Sequence, residues 1–189
     1  ERLHAQKQTE ETEMIQIKNL TATHKKDTRT LFENLSFTLE KGDRMAVIGE
    51  EGNGKSTLLK LIFDPGMTDG YLEYEGEILK NGACTGYLAQ ELTWEEKALT
   101  IWEYMSGSPG FYEKTPKELS RIAGTVGLPG DIYYGQETLG QLSGGEKVKL
   151  QLPRILMLDP EVILLDEPSN DLDLPTLEFL DHFLRHVPA

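Results

Sequence analysis

Gly49-Glu50-Glu51-Gly52-Asn53-Gly54-Lys55-Ser56-Thr57 reads G-x-x-x-x-G-K-S, preceded by the apolar run Met45-Ala46-Val47-Ile48 and followed by Leu58, Leu59, Leu61 and Ile62. The flanks predict a short buried strand, a glycine loop and then a helix beginning near Lys55, which is the context that gives this motif its meaning. Glycines allow the backbone to curl so that successive N–H groups face inward toward a polyphosphate. A helix start adds its positive end to the same anion site. Lys55 would supply a point charge to the β- and γ-phosphates, and the Ser56 hydroxyl is a candidate Mg²⁺ ligand. The plainer reading, a glycine-rich turn between strand and helix, leaves the lysine, the hydroxyl and both flanks unexplained.

Working outward toward the N-terminus, Lys41-Gly42-Asp43 turns the chain into that strand. Before it lie two alternating segments, Leu31–Leu39 and Met14–Leu20, each with the period of a half-buried strand, separated by the polar turn Thr23–Arg29. Residues 1–13 hold almost no apolar side chains and read as a polar leader, disordered or helical. On the other side, Asp64-Pro65-Gly66 breaks the phosphate helix. Tyr71–Lys80, with Glu75-Gly76 at its middle, looks like a small hairpin, and Cys84–Gln90 like another buried strand, with Cys84 as a small buried hydrophobe. From 91 to 141 the texture becomes helical, at Leu99–Met105 and at Pro116–Val126, the latter with Thr115 as its cap.

Two further constellations carry chemistry. Glu161-Val162-Ile163-Leu164-Leu165-Asp166-Glu167 is a continuous apolar strand that ends in two carboxylates, the pattern of a strand covered on both faces. Two acids at a strand end are also an ordinary way into a turn, but beside a phosphate loop they acquire roles. Asp166 would hold Mg²⁺ and Glu167 would polarise the attacking water, while Gln90, ending another strand, would add a neutral oxygen ligand. Leu142-Ser143-Gly144-Gly145-Glu146 opens a helix with Ser143 as N-cap and Glu146 three residues on, as a capping box requires. The two glycines there make a second anion site at a helix start. One nucleotide does not need two such sites, so Ser143, Gly144, Gly145 and Glu146 are expected to serve the nucleotide of a facing domain. Pro153 stands inside this helix and is expected to kink it or loosen a turn, and Asp171 or Asp173 caps a last helix over Pro175–His186.

Composition bounds these readings. The chain has 189 residues, 38% hydrophobic and 27% charged, enough for one good core with a small subdomain. The opening residues show no signal-peptide pattern, and no apolar run is long enough to span a bilayer. A single cysteine excludes an internal disulfide, in keeping with a cytoplasmic location. The net charge of −13 argues against broad, non-specific nucleic-acid binding by this chain.

The ordered motifs resemble those of an ATP-binding-cassette (ABC) ATPase domain over residues 14–187. Gly49–Thr57 resembles its Walker A loop, Gln90 its Q-loop, Leu142–Glu146 its signature, Val162–Glu167 its Walker B strand and Ser169–Asp173 its D-loop. Within the superfamily, Leu142–Lys149 and Asp166–Asp173 look like the ABC-F group, proteins with two cassettes in one chain, many of which act on the ribosome. The resemblance implies an α/β fold of the P-loop NTPase type. It has a mixed or parallel core sheet, an antiparallel β subdomain and a helical subdomain. A polar leader at 1–13 would precede one incomplete nucleotide-binding domain at 14–189. Within it, 14–90 holds the β subdomain and phosphate-loop core, 91–141 the helical subdomain, and 142–189 the signature helix, Walker B strand, D-loop and last helix. It also implies ATP and Mg²⁺ as cofactors and a second cassette as partner, in the same full-length chain or a second copy. Departures from the family pattern are Glu50 and Glu51 in the loop, Pro153 where a helix former is usual, and no clear aromatic residue for the adenine. His24 is the nearest candidate for that stacking role, the other reading being an exposed turn histidine. His182 and His186 are expected on the surface of the last helix.

Three functions are compatible with these motifs: an ABC-F-type ATPase acting on the ribosome, the ATPase subunit of a membrane transporter, and a nucleotide-binding fragment without turnover. The family pattern continues past Asp173 into a helix, a strand and a switch histidine. This chain stops after the helix, so the isolated chain is expected to be marginally stable, prone to self-association or dependent on the part beyond, and inactive or very weak as an ATPase.

Overall fold

In the computed structural model, which describes residues 13–170 and 172–186, β1 (Glu13–His24) is the middle strand of a three-stranded sheet. Ile15, Ile17, Leu20 and Ala22 are buried along it, the alternation its sequence predicts, offset once between Ile17 and Leu20. β2 (Thr30–Glu40) and β3 (Leu72–Leu79) pair with it antiparallel on either side. The polar leader expected at 1–13 lies outside the described residues except for Glu13, which opens β1.

The hairpin expected over Tyr71–Lys80 is not one. β3 runs straight through Gly76, and the glycine serves a bulge instead of a turn: the register shifts between Lys18 and Thr21 where β1 passes it. Gly76 has φ +108°, and a Cβ there would lie 2.6 Å from the Asn19 carbonyl oxygen and 2.7 Å from that of Lys18. Gly76→Ala therefore combines left-handed strain with a clash against backbone, and is expected to cost about 2–4 kcal/mol. Gly82, φ +84° with nothing within 4 Å of the added Cβ, separates the two effects. In thermal unfolding Gly82→Ala should cost about 1 kcal/mol, the strain alone. Equal losses at both positions would show that the close approach at Gly76 carries no energy.

The strand expected at Met45–Ile48 is also absent: residues 43–50 have no strand assignment and no described strand pairs with them. Met45, Val47 and Ile48 are exposed, Ile48 to 93%. An apolar β-branched run marks a segment suited to a central strand, but a strand exists only where neighbours complete its hydrogen-bond ladder. The helix after the loop forms as expected. α1 (Lys55–Phe63) buries Leu58, Leu61 and Ile62 and stops where Asp64 turns extended, its carboxylate accepting from the Gly66 N–H ahead of a 3₁₀ turn that starts at Pro65.

The chain divides into two compact units, one through Thr85 and the other from Gly86. In the second, β4 (Thr85–Leu88) pairs with β5 (Val162–Leu165), where Val162 and Leu164 are buried. Cys84 precedes β4 and is exposed, which corrects its reading as a buried hydrophobe: it belongs to the turn, before the alternation begins. Three short helices follow, α2 (Trp94–Ala98), α3 (Ile101–Ser106) and α4 (Pro116–Thr125). Each opens on a complete capping box, Thr93 with Glu96, Thr100 with Glu103 and Thr115 with Glu118. The apolar period gives α3 and α4 but not α2, for which Thr93-x-x-Glu96 is the only local signal.

Their inward faces meet in a core of Leu92, Ile101, Met105, Phe111, Leu119 and Tyr133, among others. The buried Tyr133 hydroxyl donates to the Leu119 carbonyl at 2.7 Å, and burial pushes its pKa up to about 12. α5 (Gly144–Leu156) packs Val148, Leu152 and Ile155 against Leu88 and Phe183, and runs unbroken through the buried Pro153. α6 (Leu174–His186) is capped by Asp173, whose carboxylate accepts from the Thr176 N–H at 3.1 Å; Asp171, the alternative cap, lies outside the described residues. No described helix is long and apolar enough to cross a membrane.

Candidate functional site

The phosphate loop belongs to the first unit. Gly52 and Gly54 both adopt positive φ, +79° and +83°, and these reversals curl the loop back onto itself. Gly54 is the N-cap of α1 and carries no side-chain cap, in contrast to α2–α5, whose starts are closed by hydroxyls and carboxylates. A Cβ on Gly54 would come within 2.9 Å of Leu31 Cβ on β2, so glycine is required by contact as well as by φ. The Lys55 ammonium donates to the carbonyls of Gly49 and Glu50, both at 3.0 Å, and so lies across the loop it follows. In place of these neutral carbonyls a polyphosphate would offer the ammonium anionic acceptors, the stronger partners. Arg29, on the β1–β2 turn, donates to the Gly52 carbonyl at 3.1 Å and braces the loop from the side. Glu50, Glu51 and Asn53 are exposed, so the two loop carboxylates face solvent; Ser56 and Thr57 are half-buried in the first turn of α1.

His24 ends β1 with its ring 5.9 Å from that of Tyr71, tilted by 39°. Its Nδ1 accepts from the Lys26 N–H and stands 3.3 Å from the Asp27 carboxylate. The half-buried ring is thus engaged by its own turn and by Tyr71, an aromatic neighbour that spacing along the chain does not reveal.

The acid pair lies in the second unit. Asp166 follows β5, is 2% exposed, and donates its backbone N–H to the Leu88 carbonyl. The Tyr87 hydroxyl on β4 donates to Asp166 Oδ2 at 2.8 Å, a contact that lets a carboxylate persist in a buried position. Glu167 departs from the strand with φ +45°, a left-handed conformation uncommon for a residue with a side chain. Its Oε2 accepts from the Gln90 amide at 3.2 Å and from the Asn170 amide. Gln90, Asp166 and Glu167 are therefore assembled at one end of the β4–β5 pair, as their positions at two strand ends predict. Tyr87 and Asn170 were not singled out by sequence reasoning. Tyr87 lies one position before the inward-facing Leu88, and Asn170 three residues after Glu167, the spacing of a turn.

The Leu142–Glu146 segment forms the predicted capping box. The Ser143 hydroxyl accepts from the Glu146 N–H, and Glu146 Oε2 accepts from the Ser143 N–H at 2.8 Å and from its hydroxyl at 2.7 Å. These hydrogen bonds, the hydroxyl's first, hold the Glu146 carboxyl below the usual range. Ser143 and Gly144 are exposed. Gly145 has a second reason to be glycine: a Cβ there would stand 2.5 Å from the Thr176 hydroxyl of α6. His182 and His186 are exposed on α6, as expected, with rings stacked at 4.2 Å.

No cluster of three or more His, Cys, Asp or Glu suited to a metal occurs among the described residues. A Mg²⁺ that arrives with a nucleotide needs no such cluster, because phosphate oxygens and water complete its shell.

A glycine loop opening a helix and an acid pair ending a buried strand define a phosphate-loop nucleotide-binding domain of α/β construction. Residues 32–170 match the family model described as ABC transporter, and the chain belongs to that family. It is 31% identical over 170 residues to the energy-dependent translational throttle protein EttA of Escherichia coli K12, covering 85% of this chain and 28% of that protein. To the ATP-binding protein Uup of Buchnera aphidicola it is 34% identical over 161 residues, covering 82% of this chain and 26% of that protein. The structure of a bacterial Atm1-family ABC exporter with ATP bound superposes with a TM-score of 0.69 at 25% identity, over 94% of this chain and 33% of that one. The chain thus spans under a third of the length of these curated relatives. EttA and Uup bear out the resemblance of the chain to the ABC-F group.

Proposed function

We propose that this chain is an ATP-hydrolysing cassette of an ABC-F-type protein that acts on the ribosome. Gly49–Thr57 cradle the polyphosphate, Lys55 neutralises it, and Ser56, Gln90 and Asp166 are the ligands of the Mg²⁺ that the nucleotide brings. Mg²⁺ when bound screens the charge of the β- and γ-phosphates. Glu167 is the base toward the attacking water, and its two amide donors hold the carboxylate in one orientation. Ser143, Gly144, Gly145 and Glu146 present a helix start to the nucleotide of an opposing cassette. The ATPase reading is carried by the acid pair after β5, in a chain whose family is established. The ribosomal reading is supported by the 31% identity to a protein named as a translational throttle. His24, half-buried at the end of β1, is kept as the candidate for adenine stacking.

The transporter reading has the likeness to an exporter's domain in its support, and one experiment separates the two. The full-length polypeptide, with MgATP and turnover blocked by Glu167→Gln, is sedimented with purified ribosomes. Co-sedimentation that depends on MgATP is expected. Absence of binding with ATP bound would rule out the ribosomal role and leave a transporter subunit, for which association with a membrane partner encoded nearby is the matching test.

A further inference from the structure

Two features of the turn after β5 converge on one side chain that the motif assignments leave without a role. Glu167 sits at φ +45°, and the turn it begins is closed by the Asn170 N–H donating to the Glu167 carbonyl at 3.1 Å. The Asn170 side-chain amide then reaches back to Glu167 Oε2, the same oxygen that accepts from Gln90 Nε2 at 3.2 Å. One residue thus fixes both the backbone and the carboxylate of Glu167. A left-handed residue with a side chain persists only where its surroundings over-determine it. A carboxylate oxygen that accepts from two amides is biased toward one rotamer.

We propose that Asn170 is a positioning residue for Glu167, donating its amide N–H to Oε2 so that the carboxylate keeps the orientation in which it takes a proton from water. The inference rests on the reading of Glu167 as the base. Asn170 acts through the Glu167 carboxylate, so turnover is expected to fall far more than nucleotide affinity. Aspartate at position 170 is the informative replacement. It has nearly the same shape and suits the same turn, since Asn and Asp both favour turns through local backbone contacts. It cannot donate, and its charge would stand against that of Glu167. Alanine removes the donor without adding charge.

The experiment uses the full-length polypeptide with four forms: wild type, Glu167→Gln, Asn170→Ala and Asn170→Asp. For each, MgATP affinity, turnover and thermal unfolding are measured, and the turnover that survives Glu167→Gln is subtracted. Asn170→Ala should lower the remaining, Glu167-dependent kcat about tenfold, the scale of one lost charge-assisted hydrogen bond, and Asn170→Asp about a hundredfold. Affinity should stay within about twofold and the unfolding temperature should hold. Asn170→Asp turning over at the wild-type rate would overturn the proposal. So would a loss of activity that tracks a fall in unfolding temperature, because Asn170 would then serve the fold alone. Should Glu167→Gln itself retain full turnover, the assignment of Glu167 fails and this inference falls with it, an outcome distinct from a silent Asn170 beside an essential Glu167.

Discussion

Glu167→Gln will bind MgATP as the wild type does and will lose hydrolysis at this site by about 10²–10⁴-fold, the contribution of a positioned general base. The geometry makes this substitution cleaner than most. Oε2 of Glu167 accepts from the amides of Gln90 and Asn170, and the carbonyl oxygen of a glutamine can accept both. Shape, turn and φ +45° are therefore retained, and only basicity is lost. Alanine would be ambiguous, since it would leave two amide donors without their acceptor as well as removing the base. The measurement is single-turnover cleavage of ATP by the full-length polypeptide beside an equilibrium titration of MgATP. Unchanged cleavage would show that another group activates the water; lost binding would show that Glu167 contributes to the ground state.

The elements that could be read from the sequence are those whose physics is local. Ser143 and Glu146 announce the start of α5 because a capping box needs nothing beyond four residues, and the structure closes it in both directions. The same holds for Thr115 before Pro116. The places of Gly52 and Gly54 in a loop opening a helix, and of Asp166 and Glu167 just after a buried strand, were legible because glycine spacing and a break in an apolar run are local signals. The misreadings at Gly76 and at Met45–Ile48 concern residues whose state is set by segments distant in sequence, while at Cys84 the error is the position of a strand boundary. Gly76 resembles a turn glycine, but what demands it is the backbone of Lys18 and Asn19, more than fifty residues away. Met45–Ile48 has the composition of a buried strand, yet strand pairing is a property of two segments and composition describes one. Cys84 stands beside apolar residues in the chain and outside them in space. Tyr87 belongs with Gly76 and Met45–Ile48, since the carboxylate it meets is Asp166, 79 residues on. Asn170 differs, its partner Glu167 being only three residues back. What the sequence does not reveal there is the left-handed turn that brings the two side chains together.

Lys55→Ala will weaken MgATP binding by about 10–100-fold, equivalent to about 1.5–3 kcal/mol for a hydrogen-bonded charge on a polyanion. The starting state favours a loss near the upper end. The ammonium is held at 3.0 Å from each of two loop carbonyls, so its position over the loop is set before any ligand arrives and little side-chain entropy remains to be lost. Exchanging neutral carbonyl acceptors for phosphate oxygens then turns two ordinary hydrogen bonds into ion-paired ones. Lys55→Arg should fail to restore full affinity. A planar guanidinium carries the charge but spreads it over a fork, whereas the loop carbonyls of Gly49 and Glu50 cradle a compact point charge. Lys60, in the last turn of the same helix, provides the control. Lys60→Ala changes the net charge by the same amount, so a general electrostatic effect of α1 would weaken binding in both variants and a specific phosphate contact only in the first. Calorimetric titration of MgATP into wild type, Lys55→Ala, Lys55→Arg and Lys60→Ala distinguishes these outcomes. Equal affinity in wild type and Lys55→Ala would remove the phosphate-loop assignment, since no arrangement of Gly49–Thr57 that holds a triphosphate leaves the lysine at its helix start without effect.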